Sequence, residues 1–288
     1  MTAEPPRIEG VRRSFVDANG VRFHVTEAGP ADGRPVVCLH GWPQHHYEWR
    51  DLLADPPPGL RIIAPDLPGY GWSGPPPHRW AKEDVATDVL ALLDALGLPR
   101  VLLVAHDWGA YVGYRMILRE PERFDGYLAM NMAHPWQSPK TVLPHIWRFD
   151  YQIPLATFGI FVQQRTNYVE KVILAIGSEM DPETKQLFAD RFRDPVCARA
   201  GRDTYRTFLT REIPRSARNP ETRRATVPIR VLFGTRDRAV TSSMVSPETA
   251  NADDYTLETV DATHFIVDER PDLVRRKLIA LAEETAGV

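Results

Sequence analysis

One stretch constrains this chain more than any other: Val101-Leu102-Leu103-Val104-Ala105-His106-Asp107-Trp108-Gly109-Ala110. The apolar run from Val101 to Ala105 suits a strand covered on both faces, and the segment from Ala110 to Glu120, stopped by Pro121, suits a helix. Almost nothing separates them. The chain must turn sharply at Asp107, bringing strand and helix backbones together, and it carries small residues two before and two after that position, Ala105 and Gly109. Such a turn presents one side chain at the carboxyl edge of a sheet, beside a helix N-terminus. Here that side chain is Asp107. Aspartate is also a common helix cap, so the surrounding sequence has to separate the two roles.

The organisation around the turn is a parallel, doubly wound α/β sheet. Apolar runs at Val36 to Leu39 and Arg61 to Pro65 repeat the pattern of Val101 to Ala105, with helical segments between them. The clearest helix spans Ala81 to Leu96, with Val85, Val89, Leu92, Leu93 and Leu96 on one stripe and Gly97 as its stop. Upstream, Phe15 to Ala18 and Val21 to Val25 flank Asn19-Gly20, a pair suited to a tight primed hairpin turn. A strand is expected from Phe124 to Asn131, after which the strand rhythm stops. From 137 to 223 the sequence is aromatic and helix-like, and strands resume at Ile229 to Phe233 and Tyr255 to Thr259 before a last helix, Pro271 to Ala286. The expected organisation is a core of 1–136 and 224–288 with a helical insertion, 137–223.

A chain of 288 residues buries roughly three quarters of its unfolded surface, so a self-sufficient core is expected. A net charge of −3 creates no field that would favour nucleic acid or an anionic membrane, which leaves a small molecule as the expected partner. No leader-like apolar run opens the chain and no stretch of about 18 apolar residues follows, so a cytoplasmic location is expected. Cys38 and Cys197 have no metal-ligand spacing and read as buried free thiols; no metal or cofactor is expected. The oligomeric state is not encoded in any pattern of this kind.

Further motifs favour chemistry at Asp107. His40-Gly41-Trp42-Pro43 follows an apolar strand, where the backbone N–H groups of Trp42 and Trp108 would converge on one oxygen. His40 is expected to order this loop, and His106 to point away from the site if Asp107 points into it. A carboxylate nucleophile needs a base to activate water in a second step, and the order nucleophile, acid, histidine is completed by Asp237 and His264. Asp237 ends Leu232-Phe233-Gly234-Thr235-Arg236-Asp237, and His264 lies in Ala262-Thr263-His264-Phe265 after the last strand. Asp261, Asp268 and Glu269 compete for the acid role, but their closeness in sequence to His264 makes them expected surface charges.

Through His40-Gly41-Trp42-Pro43, Tyr47-Glu48-Trp49-Arg50, Asp66-Leu67-Pro68-Gly69-Tyr70-Gly71 and His106-Asp107-Trp108-Gly109, the chain resembles the epoxide hydrolases of the α/β-hydrolase fold, including the soluble type. The resemblance implies a core sheet with an inserted helical cap. It also implies that Asp107 attacks an epoxide carbon, that His264 and Asp237 drive hydrolysis of the ester, and that two cap tyrosines hydrogen-bond the epoxide oxygen. Phe149-Asp150-Tyr151-Gln152 looks like the segment bearing the first tyrosine; Tyr205 stands where the second is expected, with Tyr168 as its alternative. Trp42, Trp108 and Phe149 are expected to contact the substrate; Trp136, Trp147, Phe149, Phe158 and Phe161 suggest an apolar pocket, although aromatics of such a layer more often pack than line one. The expected partners are an apolar epoxide and water.

Haloalkane dehalogenases share the aspartate and often the neighbouring tryptophan, but they usually carry a polar halide ligand where Trp42 stands and need no tyrosine pair. Fluoroacetate-type dehalogenases place arginine after the aspartate, where this chain has Trp108. A binding protein without turnover is the alternative from another class; a damaged triad would favour it, and every position here is filled by a competent residue.

Overall fold

Asn19 and Gly20, with φ of 46° and 77°, join β1 (Arg12–Ala18) to β2 (Val21–Ala28) in this computed structural model, which describes residues 4–176, 179–246 and 251–287. Positive φ at both turn residues matches the strand twist, as a primed hairpin turn requires. The other strands are β3 (Arg34–Leu39), β4 (Leu60–Pro65), β5 (Val101–His106), β6 (Phe124–Met130), β7 (Ile229–Gly234) and β8 (Tyr255–Val260). Among the described residues they form one sheet in the order β1-β2-β4-β3-β5-β6-β7-β8. The pairs β1–β2 and β2–β4 are antiparallel, and every pair from β4 through β8 is parallel.

The continuous apolar runs are explained by what covers them. Val37, Leu39, Leu103 and Ala105 pack into one core cluster, while Val36, Cys38, Leu102 and Val104 pack into a second. Successive residues thus point to opposite faces and both faces are dry, which is why the pattern does not alternate. From β3 the chain moves outward to β4 and returns to β5 on the other side of β3. Loops leaving the carboxyl ends of β3 and β5 therefore diverge, and the crevice between them is where an open α/β sheet builds its site.

The helices are α1 (Arg50–Ala54), α2 (Lys82–Ala95), α3 (Asp107–Arg119), α4 (Pro139–Val142), α5 (Gln152–Arg165), α6 (Tyr168–Ile176), α7 (Pro182–Arg191), α8 (Pro195–Thr207), α9 (Ile213–Arg218), α10 (Ser242–Val245), α11 (Ile266–Glu269) and α12 (Pro271–Glu284). Gly97, with φ of 67°, stops α2 as its sequence position suggests. Helix α3 differs from the sequence reading: it begins at Asp107 itself, so the turn is concentrated in one residue. The strand expected to reach Asn131 ends at Met130, and Asn131 turns away with φ of 44°.

Between β6 and β7 the described residues form no named strand but helices and turns, including a 3-10 segment (Leu143–Phe149) and a π-turn (Phe208–Glu212), with one isolated bridge from Ala225 to Ala252. Helices α5 and α8 pack closely because of small residues: a Cβ on Gly159 would lie 2.8 Å from that of Arg202, and one on Gly201 would lie 2.2 Å from Gln163 Oε1. Gln163 also donates to Ala198 O at 2.8 Å. This layer is fastened to the sheet by Tyr70 Oη with Thr204 Oγ1 (2.6 Å), Thr207 Oγ1 to Trp80 O (3.0 Å), and Arg191 Nε to Gly71 O (2.6 Å). No helix among the described residues is long and apolar enough to cross a membrane.

Candidate active site

Asp107 has φ of 48°, a left-handed conformation that few non-glycine residues adopt, and the structure around it explains how it is held. A Cβ on Gly109 would lie 2.4 Å from His40 O, and one on Gly41 would lie 2.4 Å from Asp107 Cβ. Only glycine allows these approaches. The Gly41-Trp42 backbone is consequently pressed against the aspartate. Asp107 is buried, and its Oδ1 has no hydrogen-bond partner among the described residues.

His264 faces Asp107 from the loop after β8, with Nε2 3.6 Å from Asp107 Oδ2. Its Nδ1 lies 2.8 Å from Asp237 Oδ2. Burial works against the imidazolium, but the charge of Asp237, the nearby Asp107 carboxylate and the hydrogen bond to Asp237 outweigh it, and the pKa of His264 is pushed up to about 10. Burial likewise opposes the Asp237 carboxylate, yet His264, Asn131 and the Val240 N–H hold its pKa below the usual value. Asp237 Oδ1 accepts from the N–H groups of Ala239 (2.7 Å) and Val240 (3.0 Å).

The residues considered in competition with Asp237 lie elsewhere. Asp268 is not the surface charge expected from its position: it is buried, bonded to Arg50 (2.5 Å) and Gln44 (2.8 Å), with a pKa raised to about 6 mainly by burial. Asp261 is exposed and pairs with Arg236. Glu269 accepts from the Thr263 N–H and so shapes the histidine loop.

Above Asp107 stand Tyr205 on α8 and Tyr151 at the start of α5, their ring centres 5.9 Å apart and nearly perpendicular. Tyr205 also meets the rings of Trp42 (5.3 Å) and Trp108 (5.7 Å) edge-on. Burial, followed by the charge of Asp107, raises the pKa of Tyr151; burial, Tyr151 and Asp107 do the same for Tyr205, so both phenols stay protonated. Tyr168 is occupied otherwise, donating to Tyr151 O at 2.9 Å. Phe149 is half-buried against the main core, whereas Trp147 (68 % exposed), Phe158 (72 %) and Phe161 (64 %) face solvent and do not line a pocket. Trp136 packs on Tyr114 and His134 and donates to Arg223 O.

His40 accepts from the Leu67 N–H at 2.9 Å and donates to Gly41 O at 3.0 Å, a neutral imidazole that orders the loop. Burial lowers its pKa to about 4. His106 lies behind the site, donating to His264 O at 2.8 Å and paired with buried Glu48 at 2.8 Å. Sequence reasoning missed Glu48 as the partner of His106, and it missed Asn131, whose amide donates to Asp237 Oδ2 at 2.8 Å and whose oxygen accepts from the Gly234 N–H at 3.2 Å. A polar residue directly after β6, at the carboxyl edge, was the available signal for Asn131.

Cys38 and Cys197 are buried thiols with raised pKa values, as expected. One set of metal-competent side chains exists among the described residues, His24, His46 and Asp66, within 4.8 Å of one another. Asp66 already accepts from His24 Nδ1, His46 Nδ1, the His46 N–H and the Trp72 N–H, so its lone pairs are committed. A Cβ on Gly71 would lie 2.2 Å from its carboxylate. This is a loop clamp rather than an open ligand set. An open cleft of about 350 Å³ lies to the side, lined by Lys82, Tyr111, Arg115, Glu212, Arg215 and Glu221 among others, and neither Asp107 nor His264 contributes to its walls.

Comparison with known proteins agrees with this fold. Residues 34–271 match the alpha/beta hydrolase fold family. An AB hydrolase superfamily protein of Bacillus subtilis is 28 % identical, covering 94 % of this chain and 98 % of its own. Human epoxide hydrolase 4 is 25 % identical over 93 % of this chain and 77 % of its own. Among solved structures, an epoxide hydrolase from Vigna radiata superposes with a TM-score of 0.77 at 24 % identity, covering 96 % of this chain and 99 % of that one, a likeness of fold. With the sheet order, the elbow at Asp107 and a family match spanning most of its length, the chain belongs to the α/β hydrolase fold family.

Proposed function

We propose that this hydrolase opens an apolar epoxide to a vicinal diol through an ester on Asp107, with residues 137–223 acting as the cap over the site. The observation that carries this reading is the tyrosine pair: two protonated phenols, the half-buried Tyr151 and the buried Tyr205, stand together within the electrostatic reach of the Asp107 carboxylate. Epoxide opening leaves an alkoxide, which in a poorly solvated pocket needs a donor at the moment charge appears. A halide leaves without a proton. In addition, Trp42 Nε1 is engaged by Gln163 Oε1 at 3.2 Å, which occupies one indole that a halide would need. Relatives named as epoxide hydrolases, at modest identity, support the same reading.

In the first step an Asp107 oxygen attacks an epoxide carbon, the C–O bond breaks, and the alkoxide takes a proton from the phenols. Esterification removes the Asp107 charge that helps hold the proton on His264. The imidazolium then sheds a proton that replaces the one given to the alkoxide. Neutral His264 next takes a proton from water, hydroxide adds to the ester carbonyl, and the backbone N–H groups of Trp42 and Trp108 receive the oxyanion. Collapse releases diol and restores Asp107, His264 and the phenols to their starting protonation.

The test is single-turnover alkylation timed separately from ester hydrolysis, with styrene oxide and 1-bromobutane as substrates. Losing one oxyanion donor costs about 10²- to 10³-fold elsewhere; each single Tyr→Phe change is expected to cost less, and Tyr151→Phe/Tyr205→Phe together far more than either. Ester hydrolysis should stay near the parent rate. A folded double variant that opens styrene oxide at the parent rate sinks the reading, and bromide release without diol formation in the parent would replace it with dehalogenation.

A further inference from the structure

Lys82 is an unexpected residue to bury. It is the first residue of α2, where the helix dipole disfavours a cation, and its long side chain has the reach to escape to water. Instead it is 1 % exposed. Burial lowers its pKa, and only partly does Glu212 compensate. An isolated buried ammonium is costly unless its protons are used, and here they are: Nζ donates to Thr204 O at 2.6 Å and pairs with Glu212 at 2.9 Å. What remains is the direction in which the charge faces. Nζ lies 4.2 Å from the centre of the Trp108 ring and 5.0 Å from that of Phe208. Phe208 in turn meets Trp108 edge-on at 4.8 Å, and the π-turn Phe208–Glu212 delivers both Phe208 and Glu212 to the lysine. Such a turn commonly marks a functional position.

We propose that Lys82 is a positioning residue for the reaction, its ammonium pinning and polarising the Trp108 indole so that the indole supports Tyr205 as donor to the nascent alkoxide. A cation over an indole face is attracted by the ring quadrupole and draws electron density from the ring. Drawing density from the ring makes the indole N–H a stronger donor. The Trp108 ring stands edge-on to Tyr205, 5.7 Å away at 78°, so the face that Lys82 covers and the edge that meets the phenol belong to one indole. Thr204, the other partner of Lys82, immediately precedes Tyr205, so one side chain fixes both the indole and the helical turn carrying the phenol. The lysine touches no substrate; it acts through Trp108 and α8. The proposal rests on the epoxide reading, but its first readout does not.

The experiment uses full-length protein with ¹⁵N-labelled indoles, the Trp108 N–H signal being assigned by its loss in Trp108→Phe. Glu212→Gln, assayed at a pH low enough to keep Lys82 protonated, keeps the ammonium over the ring and should leave the signal and both chemical steps near those of the parent at that pH. Lys82→Met combined with Glu212→Gln should shift the Trp108 signal, slow alkylation by roughly 2- to 30-fold, the worth of one such contact, and leave ester hydrolysis unchanged. Lys82→Arg, which keeps a cation, should recover most of the loss. Lys82→Gln, which retains a donor for Thr204 O, serves where the methionine variant does not fold. An unmoved Trp108 signal in a folded lysine-less variant overturns the proposal, as does equal slowing of both steps or an equal loss in Glu212→Gln. A parent that opens no epoxide overturns the functional reading instead, and the indole signal still decides the role of Lys82.

Discussion

At rest His264 shares its surroundings with two carboxylates, and that arrangement sets a pH dependence with a definite sign. Its pKa, raised to about 10 from 6.5, means that it is protonated at neutral pH, and the same pairing holds the pKa of Asp237 below the usual carboxylate value. Alkylation, which uses the Asp107 carboxylate and protons from phenols held above their usual pKa, should therefore hold steady through neutral and mildly alkaline pH. Hydrolysis needs the neutral ring. Because the ester carries no charge, its apparent pKa should lie below 10, with the rate rising as pH increases. Rapid-quench measurement of ester formation and decay between pH 6 and 10 checks both limbs; a decay rate flat across that range would remove His264 from the role of base. Asp107, Asp237 and His264, which the structure brings together, could be singled out in the sequence because each follows a strand. Of their surroundings only Asn131 left a signal, as a polar residue directly after β6; Glu48 and Lys82 left none, since their partners are adjacent only after folding.

The same distinction separates the elements. Strands covered on both faces announce themselves as unbroken apolar runs, and β3, β4 and β5 appear within two residues of where periodicity puts them. The helical layer was legible as a layer only. Its contacts come from α5 against α8 and from the π-turn, and its aromatics divide between site and surface in ways that composition does not encode: Tyr205 is buried while Trp147, Phe158 and Phe161 face outward. The elbow is the most demanding junction. Gly109→Ala would drive a methyl group to 2.4 Å from His40 O and 2.5 Å from Leu39 O, both backbone atoms of the loop opposite. Forcing such overlap costs roughly 1–3 kcal/mol, and the relief available is displacement of α3 from β3. The expected outcome is a lower urea midpoint together with loss of alkylation, whereas Gly97→Ala, which meets nothing within 4 Å, would cost stability through its positive φ alone and leave alkylation intact.

Seen whole, the molecule gathers its chemistry from far apart along the chain. His106 donates to the carbonyl of His264 across 158 positions, and Arg34 reaches Thr285 across 251. Contacts of such separation form late, because loop closure precedes any reward from them. During refolding, the capacity to form the ester and the capacity to release it are expected to return in one phase, and pulse-labelling with substrate while following mass would show it. An early population bearing a permanent ester would refute that. The consequence reaches past folding. An aspartate able to be alkylated without a base to free it would be a suicide residue, killed by its first encounter with a reactive compound. Under the proposed mechanism, because the hydrogen bond from His106, the residue before Asp107, is completed only when the His264 loop docks, the fold would work as an interlock that arms the carboxylate and its release together.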